Sequence, residues 1–262
     1  MTQSGWQRRI ARAEKLGAQC SYAAEILLFY TAIARFQEKL AAEITHGSRS
    51  VSFMEPLPPK MIGRFADFLA LVERTGPEPL RKAARDLQGT GASSQVERLT
   101  GFWRQEGQSA TNCGTHEFFA RAFLQPYAAS LREASEFRWT GPTPFVCPFC
   151  KQKPGVGVLR PLGEGGQRSL ICSFCLAEWE FRRIVCPGCG EEDHAKLPVY
   201  TAEDFEHVRV EACDSCWMYI KTVDMTKSGL AEPVVDEMAS IPLDIWAQER
   251  GYAKLQVNLL QL

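Results

Sequence analysis

The chain has 262 residues, 45% hydrophobic and 23% charged, and its 30 basic and 31 acidic side chains leave a net charge of −1. That length serves one large or two ordinary domains. The near-neutral balance excludes a general polyanion binder, and no apolar run reaches the ~20 residues that a membrane-spanning helix needs.

The first residues carry Arg8-Arg9, but no apolar stretch follows them. Arg12, Glu14 and Lys15 follow instead, at helical spacing. No targeting or export signal is read, so the expected location is the cytoplasm. From Tyr22 to Ile44 the apolar residues Ile26, Phe29, Ile33, Phe36 and Leu40 recur every three or four positions, which predicts an amphipathic helix. His46-Gly47-Ser48 is a fitting C-terminal stop. The Pro-rich stretch EPLPP (55–59) predicts a connector. MIGRFADFLALVER repeats the helical stripe through Ile62, Phe65, Phe68, Leu69 and Val72, and TGPEP breaks it at 75–79. Shorter helices are expected near 79–88 and 93–106. A further amphipathic segment runs from His116 to Ala134, which Pro126 should kink or split. Residues 1–140 are therefore expected to form an all-α domain.

GPTPF (141–145) marks a boundary, and residues 147–225 change character. Eight of the ten cysteines fall here in four Cys-x-x-Cys pairs: Cys147/Cys150, Cys172/Cys175, Cys186/Cys189 and Cys213/Cys216. A secreted disulfide scaffold is shorter than this chain. In a reducing compartment, four such pairs point to thiolate–metal bonds. Each pair is a knuckle, a tight turn that aims two thiolates at one ion, and a tetrahedral site takes two knuckles.

The intervening residues indicate which knuckles meet. Between Cys150 and Cys172, VGVLR can leave as a strand, GEGG can turn and QRSLI can return. Between Cys189 and Cys213, KLPVYT, AEDF and EHVRVEA repeat that construction. LAEWEFRRIV, between Cys175 and Cys186, has no turn residue and is rich in strand formers. As one extended strand it would span ~33 Å. The expected sites are Cys147, Cys150, Cys172 and Cys175 in one, and Cys186, Cys189, Cys213 and Cys216 in the other. A cross-braced pairing of first with third and second with fourth knuckles is the alternative. Trp179 and Phe181 are expected to pack on the adjoining hairpin, with Glu178 and Glu180 on the other face.

Four thiolates close the shell, so no position is left for substrate or water, and hydrolytic catalysis is not expected. Zinc and iron both accept four sulfurs. Only Gly190 supplies the glycine that usually follows a rubredoxin knuckle; Lys151, Leu176 and Trp217 stand at the other three positions. Cys20, the Cys113/His116 pair, His194 and His207 are read as structural or loop residues. With nine Lys/Arg against twelve Asp/Glu in 147–225, including EED (191–193) and EDFE (203–206), nucleic-acid binding is not expected. The tail, 226–262, reads as short helices, with Pro242 in the first turn of the second.

The knuckles and their neighbours resemble the formate dehydrogenase accessory proteins of the FdhE type. The resemblance rests on CPFC with Gly157, GGQRSLICSFCLAEWEFRRIVCPGC, EACDSCWMYIKTVDM and the tail DEMASIPLDIWAQERGY. It is specific over 147–252 and diffuse over the helical half. It implies an α+β protein: a helical domain (1–140), two tandem rubredoxin-like or zinc-ribbon modules (141–225) and a short helical tail (226–262). It further implies a cytoplasmic, non-enzymatic factor that binds the catalytic subunit of formate dehydrogenase during maturation. Each four-cysteine site would hold one metal ion, with iron as a candidate. A rubredoxin-like electron carrier or redox sensor is the alternative.

Overall fold

The computed structural model describes residues 4–44, 56–104, 115–136, 139 and 141–261. The fold is α+β, with helices first and a mixed sheet after them. Two compact units are present, Met1–Phe137 with Leu259–Gln261, and Arg138–Asn258.

In the first unit α1 spans Gly5–Gln19, α2 Ala24–Glu43, α3 Pro59–Ile62, α4 Phe65–Thr75, α5 Glu78–Gln88, α6 Ala92–Arg104 and α7 Thr115–Ala134. A capping box starts α1: the Gln7 N–H donates to Ser4 Oγ at 3.2 Å, and the Ser4 N–H donates to Gln7 Oε1 at 3.3 Å. The predicted stripes become the core. Phe65, Phe68, Leu69 and Val72 of α4 are buried, as are Phe29 and Ile33 of α2, and Phe68 meets Phe36, Phe118, Phe119 and Phe123. The predicted stop at 46–48 lies outside the described residues, as does Cys113 of the Cys113/His116 pair.

Pro126 does not split the last helix, which runs through it. Proline supplies no N–H, so the carbonyl of Ala122, one turn earlier, loses its helical donor. Gln37, fully buried on α2, supplies the replacement: its Nε2 donates to Ala122 O at 2.7 Å and to Gln125 Oε1 at 3.2 Å. Gln37→Met is expected to destabilise this unit by about 1–3 kcal/mol, the cost of an orphaned buried carbonyl. In a Pro126→Ala background the loss should shrink, because alanine at that position brings back the N–H. Thermal melts of the four proteins in this cycle measure the coupling; strict additivity would refute it.

In the second unit β1 is Pro154–Leu162, β2 Gly165–Cys172, β3 Glu178–Glu180, β4 Val199–Thr201, β5 Val208–Cys213, β6 Met218–Asp224 and β7 Ala253–Lys254. Helices α8, Pro233–Ala239, and α9, Ile241–Glu249, come before β7. Both predicted hairpins form, as β1/β2 and β4/β5. They are not separate ribbons. The order β3-β2-β1-β6-β5-β4, with β7 beside β6, makes one sheet, joined by the parallel pairing of β1 and β6 from Gly157↔Thr222 to Leu159↔Asp224. Gly157 permits that junction, since a Cβ there would lie 2.2 Å from Thr222 Oγ1. One sheet face buries Val156, Val158, Val210, Tyr219 and Val223 with Leu243 and Ala247 of α9.

LAEWEFRRIV departs from expectation. Only Glu178–Glu180 is strand, folded back antiparallel on β2, and 181–185 is irregular. The stretch is no extended spacer. Against the adjoining hairpin, the Arg168 guanidinium of β2 lies 5.2 Å from the Phe181 ring centroid, while the other contacts of the Trp179 and Phe181 rings are to the segment before the first knuckle. Trp179 Nε1 donates to Pro144 O at 3.0 Å, and Phe181 meets Phe145 edge-on with ring centroids 5.7 Å apart. Glu178, on the other face, pairs with Arg160.

Candidate metal centres

Each hairpin carries one knuckle at its base and meets a second. The first begins the turn before β1, and the second follows β2. The third precedes β4, and the fourth links β5 to β6. The sulfurs gather in two groups, Cys147, Cys150, Cys172 and Cys175, and Cys186, Cys189, Cys213 and Cys216, with all four sulfurs of each group within 4.8 Å of one another. The grouping is sequential, and the cross-braced alternative does not occur.

Sulfur pairs lie 3.5 Å (Cys147–Cys175) and 3.3 Å (Cys150–Cys172) apart in the first group, and 3.7 Å (Cys186–Cys216) and 3.6 Å (Cys189–Cys213) in the second. A disulfide needs ~2.05 Å, and all eight cysteines are free. A tetrahedron of ~2.3 Å metal–sulfur bonds has edges of ~3.8 Å. The donors therefore fit a tetrahedral thiolate ion such as zinc or iron. Around a divalent ion, four thiolates leave the shell at −2.

The knuckle backbones repeat one design. The N–H four residues on donates back to the first cysteine's carbonyl: Lys151 to Cys147 at 2.9 Å, Gly190 to Cys186 at 3.0 Å and Trp217 to Cys213 at 2.8 Å. Amides also reach sulfur, Phe174 N–H to Cys172 and Gly188 N–H to Cys186, each at 3.3 Å. The residue after every second cysteine is left-handed: Lys151 (φ 62°), Leu176 (59°), Gly190 (81°) and Trp217 (57°). The conformation is imposed whether or not glycine is present. Gly190→Ala is expected to cost about 1–2 kcal/mol, with its Cβ also set 3.4 Å from Phe145. Lys151→Gly should be neutral or gain less than about 1 kcal/mol. Equal losses in thermal melts would show that backbone handedness does not govern the knuckle.

The two groups differ in exposure. In the first, Cys147, Cys172 and Cys175 are buried and Cys150 is half-buried; in the second, Cys189 is exposed and Cys216 half-buried. Hydrogen bonds from Cys150, Cys172 and Cys175 push the Cys147 thiol far down, while burial pushes Cys172 and Cys175 up. Burial also raises Cys186 and Cys216. At Cys213 burial opposes ionisation, but the N–H groups of Cys216 and Ser215 outweigh it and lower the thiol.

Sequence reading missed the carboxylate that ties the second pair of knuckles. Glu191, just after the third knuckle, accepts from Ser215 Oγ inside the fourth at 2.5 Å. The Ser215 hydroxyl, then the Asp193 N–H, pull this carboxyl down to about 2. His207 bonds Asp236 at 2.7 Å, His194 starts an exposed turn, and Cys20 joins no metal-binding group among the described residues.

Two family models match end to end, "FdhE, central domain" over residues 146–183 and "FdhE, C-terminal domain" over 184–261. The chain belongs to the FdhE family. The division between the family's two domains falls between the two thiol groups, one group to each. An FdhE homolog from Proteus mirabilis is 27% identical over 97% of this chain and 87% of its own length. One from Aquifex aeolicus is 27% identical over 75% of this chain and 68% of its own. One from Haemophilus influenzae is 36% identical, but the match spans 43% of this chain and 37% of that relative. The crystal structure of the FdhE protein from Pseudomonas aeruginosa superposes with a TM-score of 0.73 at 22% identity, covering 100% of this chain and 98% of that one, which shows a shared fold. Among the described residues, no helix is long and apolar enough to cross a membrane.

Proposed function

We propose that this protein is a cytoplasmic accessory factor that binds the catalytic subunit of formate dehydrogenase and is needed to obtain active enzyme. It catalyses no reaction itself. The supporting observation is the pair of closed four-thiolate groups within the matched FdhE domains. A closed shell has no place for a substrate, so it serves to hold structure or to carry charge. Cys147, Cys150, Cys172 and Cys175 would hold one ion, and Cys186, Cys189, Cys213 and Cys216 the second. Such an ion cross-links the knuckles or, if iron, also exchanges an electron. The test is deletion of the gene, with formate dehydrogenase activity and subunit co-purification as readouts. Undiminished activity, with no subunit recovered, would sink the reading.

Exposure of Cys189 favours a second reading, a rubredoxin-like electron carrier or redox sensor. Anaerobically purified protein would then be coloured by ferric thiolate. A colourless protein with two zinc ions per chain would rule this out.

A further inference from the structure

A cavity of about 130 Å³ opens beside the second thiol group, lined by Cys186 and Cys213, by Arg168, Arg183 and Arg209, and by one carboxylate, Glu211. Alternation along β5 explains part of this wall. Val208, Val210 and Ala212 face the α9 core, so Arg209, Glu211 and Cys213 share the opposite face. The Arg209 side chain leans along the strand toward the cysteine. Its Nε and Nη2 donate to Glu211 Oε1 at 2.9 and 2.6 Å, and Glu211 is two residues from Cys213. From β2, Arg168 Nη2 donates to Glu211 Oε2 at 2.5 Å.

Two guanidiniums thus share one carboxylate. The side chains of Arg168 and Arg209 are only 1% and 23% exposed, so one positive charge is left over largely away from water. Arg168 Nε, also buried, has no hydrogen-bond acceptor. Such a surplus is strongly unfavourable unless an opposite charge lies close by. Arg183, exposed and three residues before Cys186, adds a further cation. The opposite charge available in this wall is that of the thiolates. Four of them leave −2 around a divalent ion and −1 around a trivalent one. Carboxylates on the solvent side do not cancel the arginines, since Glu191 lies 3.6 Å from Lys196 and Asp214 is exposed, where water and salt screen it.

We infer that Arg168, Arg183 and Arg209 are the counter-charge of the second four-thiolate site and bias it toward a divalent over a trivalent ion. Positive charge beside the shell stabilises −2 more than −1, so it favours zinc or ferrous iron over ferric iron there. Arg209 acts on the second site more than on the first. Its strand, β5, lies three strands from β2, whose last residue is Cys172, a separation of ~14 Å at ~4.8 Å per strand. The arginines touch no reacting atom; they set the charge around the thiolates. This role rests on the metal-holding part of the proposed function and not on its partner.

The test uses the full chain loaded anaerobically with ferrous iron and titrated between ferricyanide and dithionite, with the visible absorption of ferric thiolate as readout. One electron takes ferric to ferrous iron with no bond made or broken, and the shell passes from −1 to −2. Cys189→Ser, which removes the second ion, identifies that site's transition. Arg209→Gln leaves Glu211 paired with Arg168. It should shift the second site's reduction equilibrium about tenfold toward ferric iron, ~59 mV lower in potential, and the first site's by less. Arg209→Lys keeps the charge but loses the fork on Glu211, and should stay within about twofold of wild type. Should Arg209→Gln not fold, Arg183→Gln, at an exposed position, should shift the same transition about twofold in the same direction. In the zinc-loaded chain, Arg209→Gln should raise the release constant of one of the two ions to a colorimetric chelator about tenfold, and Arg209→Lys should not. A second-site potential that both neutral variants leave unmoved, or that Arg209→Lys lowers as far as Arg209→Gln, overturns the counter-charge role and leaves the metal site and its proposed function standing. A chain that takes up no second ion removes the metal-holding reading and this role together.

Discussion

Stripping metal from the chain with a strong chelator at neutral pH is expected to unfold the sheet unit while the helices of the first unit keep their signal in far-ultraviolet circular dichroism. Besides their sulfurs, the paired knuckles are joined by hydrogen bonds such as Ser173 N–H to Lys153 O at 3.2 Å and Ser215 Oγ to Glu191 at 2.5 Å. Both hairpin bases, and the start of β6, depend on where those sulfurs sit. In zinc-finger peptides the corresponding binding free energy is about 10–16 kcal/mol, which exceeds the ~5–15 kcal/mol net stability of an ordinary domain. Single substitutions should divide the effect. Cys147→Ser should remove one ion of two and unfold the β1/β2 hairpin. Cys189→Ser should remove the other ion and loosen the β4/β5 base. The second ion should leave first on chelation, because Cys189 is exposed whereas three of the four thiols in the first group are buried. Metal content by mass spectrometry and near-ultraviolet circular dichroism report the two steps. An apo chain that melts as the holo chain does would contradict this account. Acid should promote the same loss, since metal binding displaces thiol protons.

The parts of this protein legible in its sequence are those governed by short-range rules. A knuckle is four residues long, and a hairpin brings the next one back, which favours the sequential grouping of eight sulfurs over the cross-braced one. The helical stripes of Tyr22–Ile44 and of 61–74 were legible for the same reason. What stayed hidden depends on distant partners. Pro126 reads as a kink or a break unless Gln37, 85 positions away from Ala122, is known to reach its carbonyl. LAEWEFRRIV reads as one strand because its composition does not reveal that β2 offers only three paired positions. The parallel seam of β1 with β6 turns two ribbons into one sheet, yet its sequence trace is one glycine, Gly157. Lys151, Leu176 and Trp217 do not advertise a left-handed backbone, since any preference of their own is against it.

Replacing Lys221 with methionine is expected to cost about 3–5 kcal/mol, the loss that follows when one partner of a buried ion network is removed. Lys221, on β6, has no exposed surface. Its Nζ donates to Glu237 O at 2.5 Å, Ser240 Oγ at 3.1 Å and Asp244 Oδ2 at 2.6 Å, and it lies 3.1 Å from Glu237 Oε1. Lys254, on β7, pairs with the same Glu237 and lies 3.1 Å from Asp244 Oδ1. Two cations and two carboxylates thus balance under α8 and α9, with Tyr219 donating to Asp244 at 2.7 Å and Asn258 to Glu237 at 3.0 Å. Methionine fills the volume but leaves two buried carboxylates sharing one lysine. Lys221→Met with Asp244→Leu should therefore recover most of the loss, because charge parity returns. The pH dependence has a definite sign. Burial raises the Glu237 carboxyl, but Lys221 and Lys254 outweigh it and hold it well below its ordinary 4.5. A depressed carboxyl stabilises the fold above its unfolded pKa, and that contribution is lost as pH falls through the folded value. Without Lys221 the depression is smaller. The stability gap between wild type and Lys221→Met, read from urea unfolding, should be widest near neutrality and should narrow below pH 4.5. A gap that stays constant through that range would mean the methionine's shape, and not the missing charge, causes the loss.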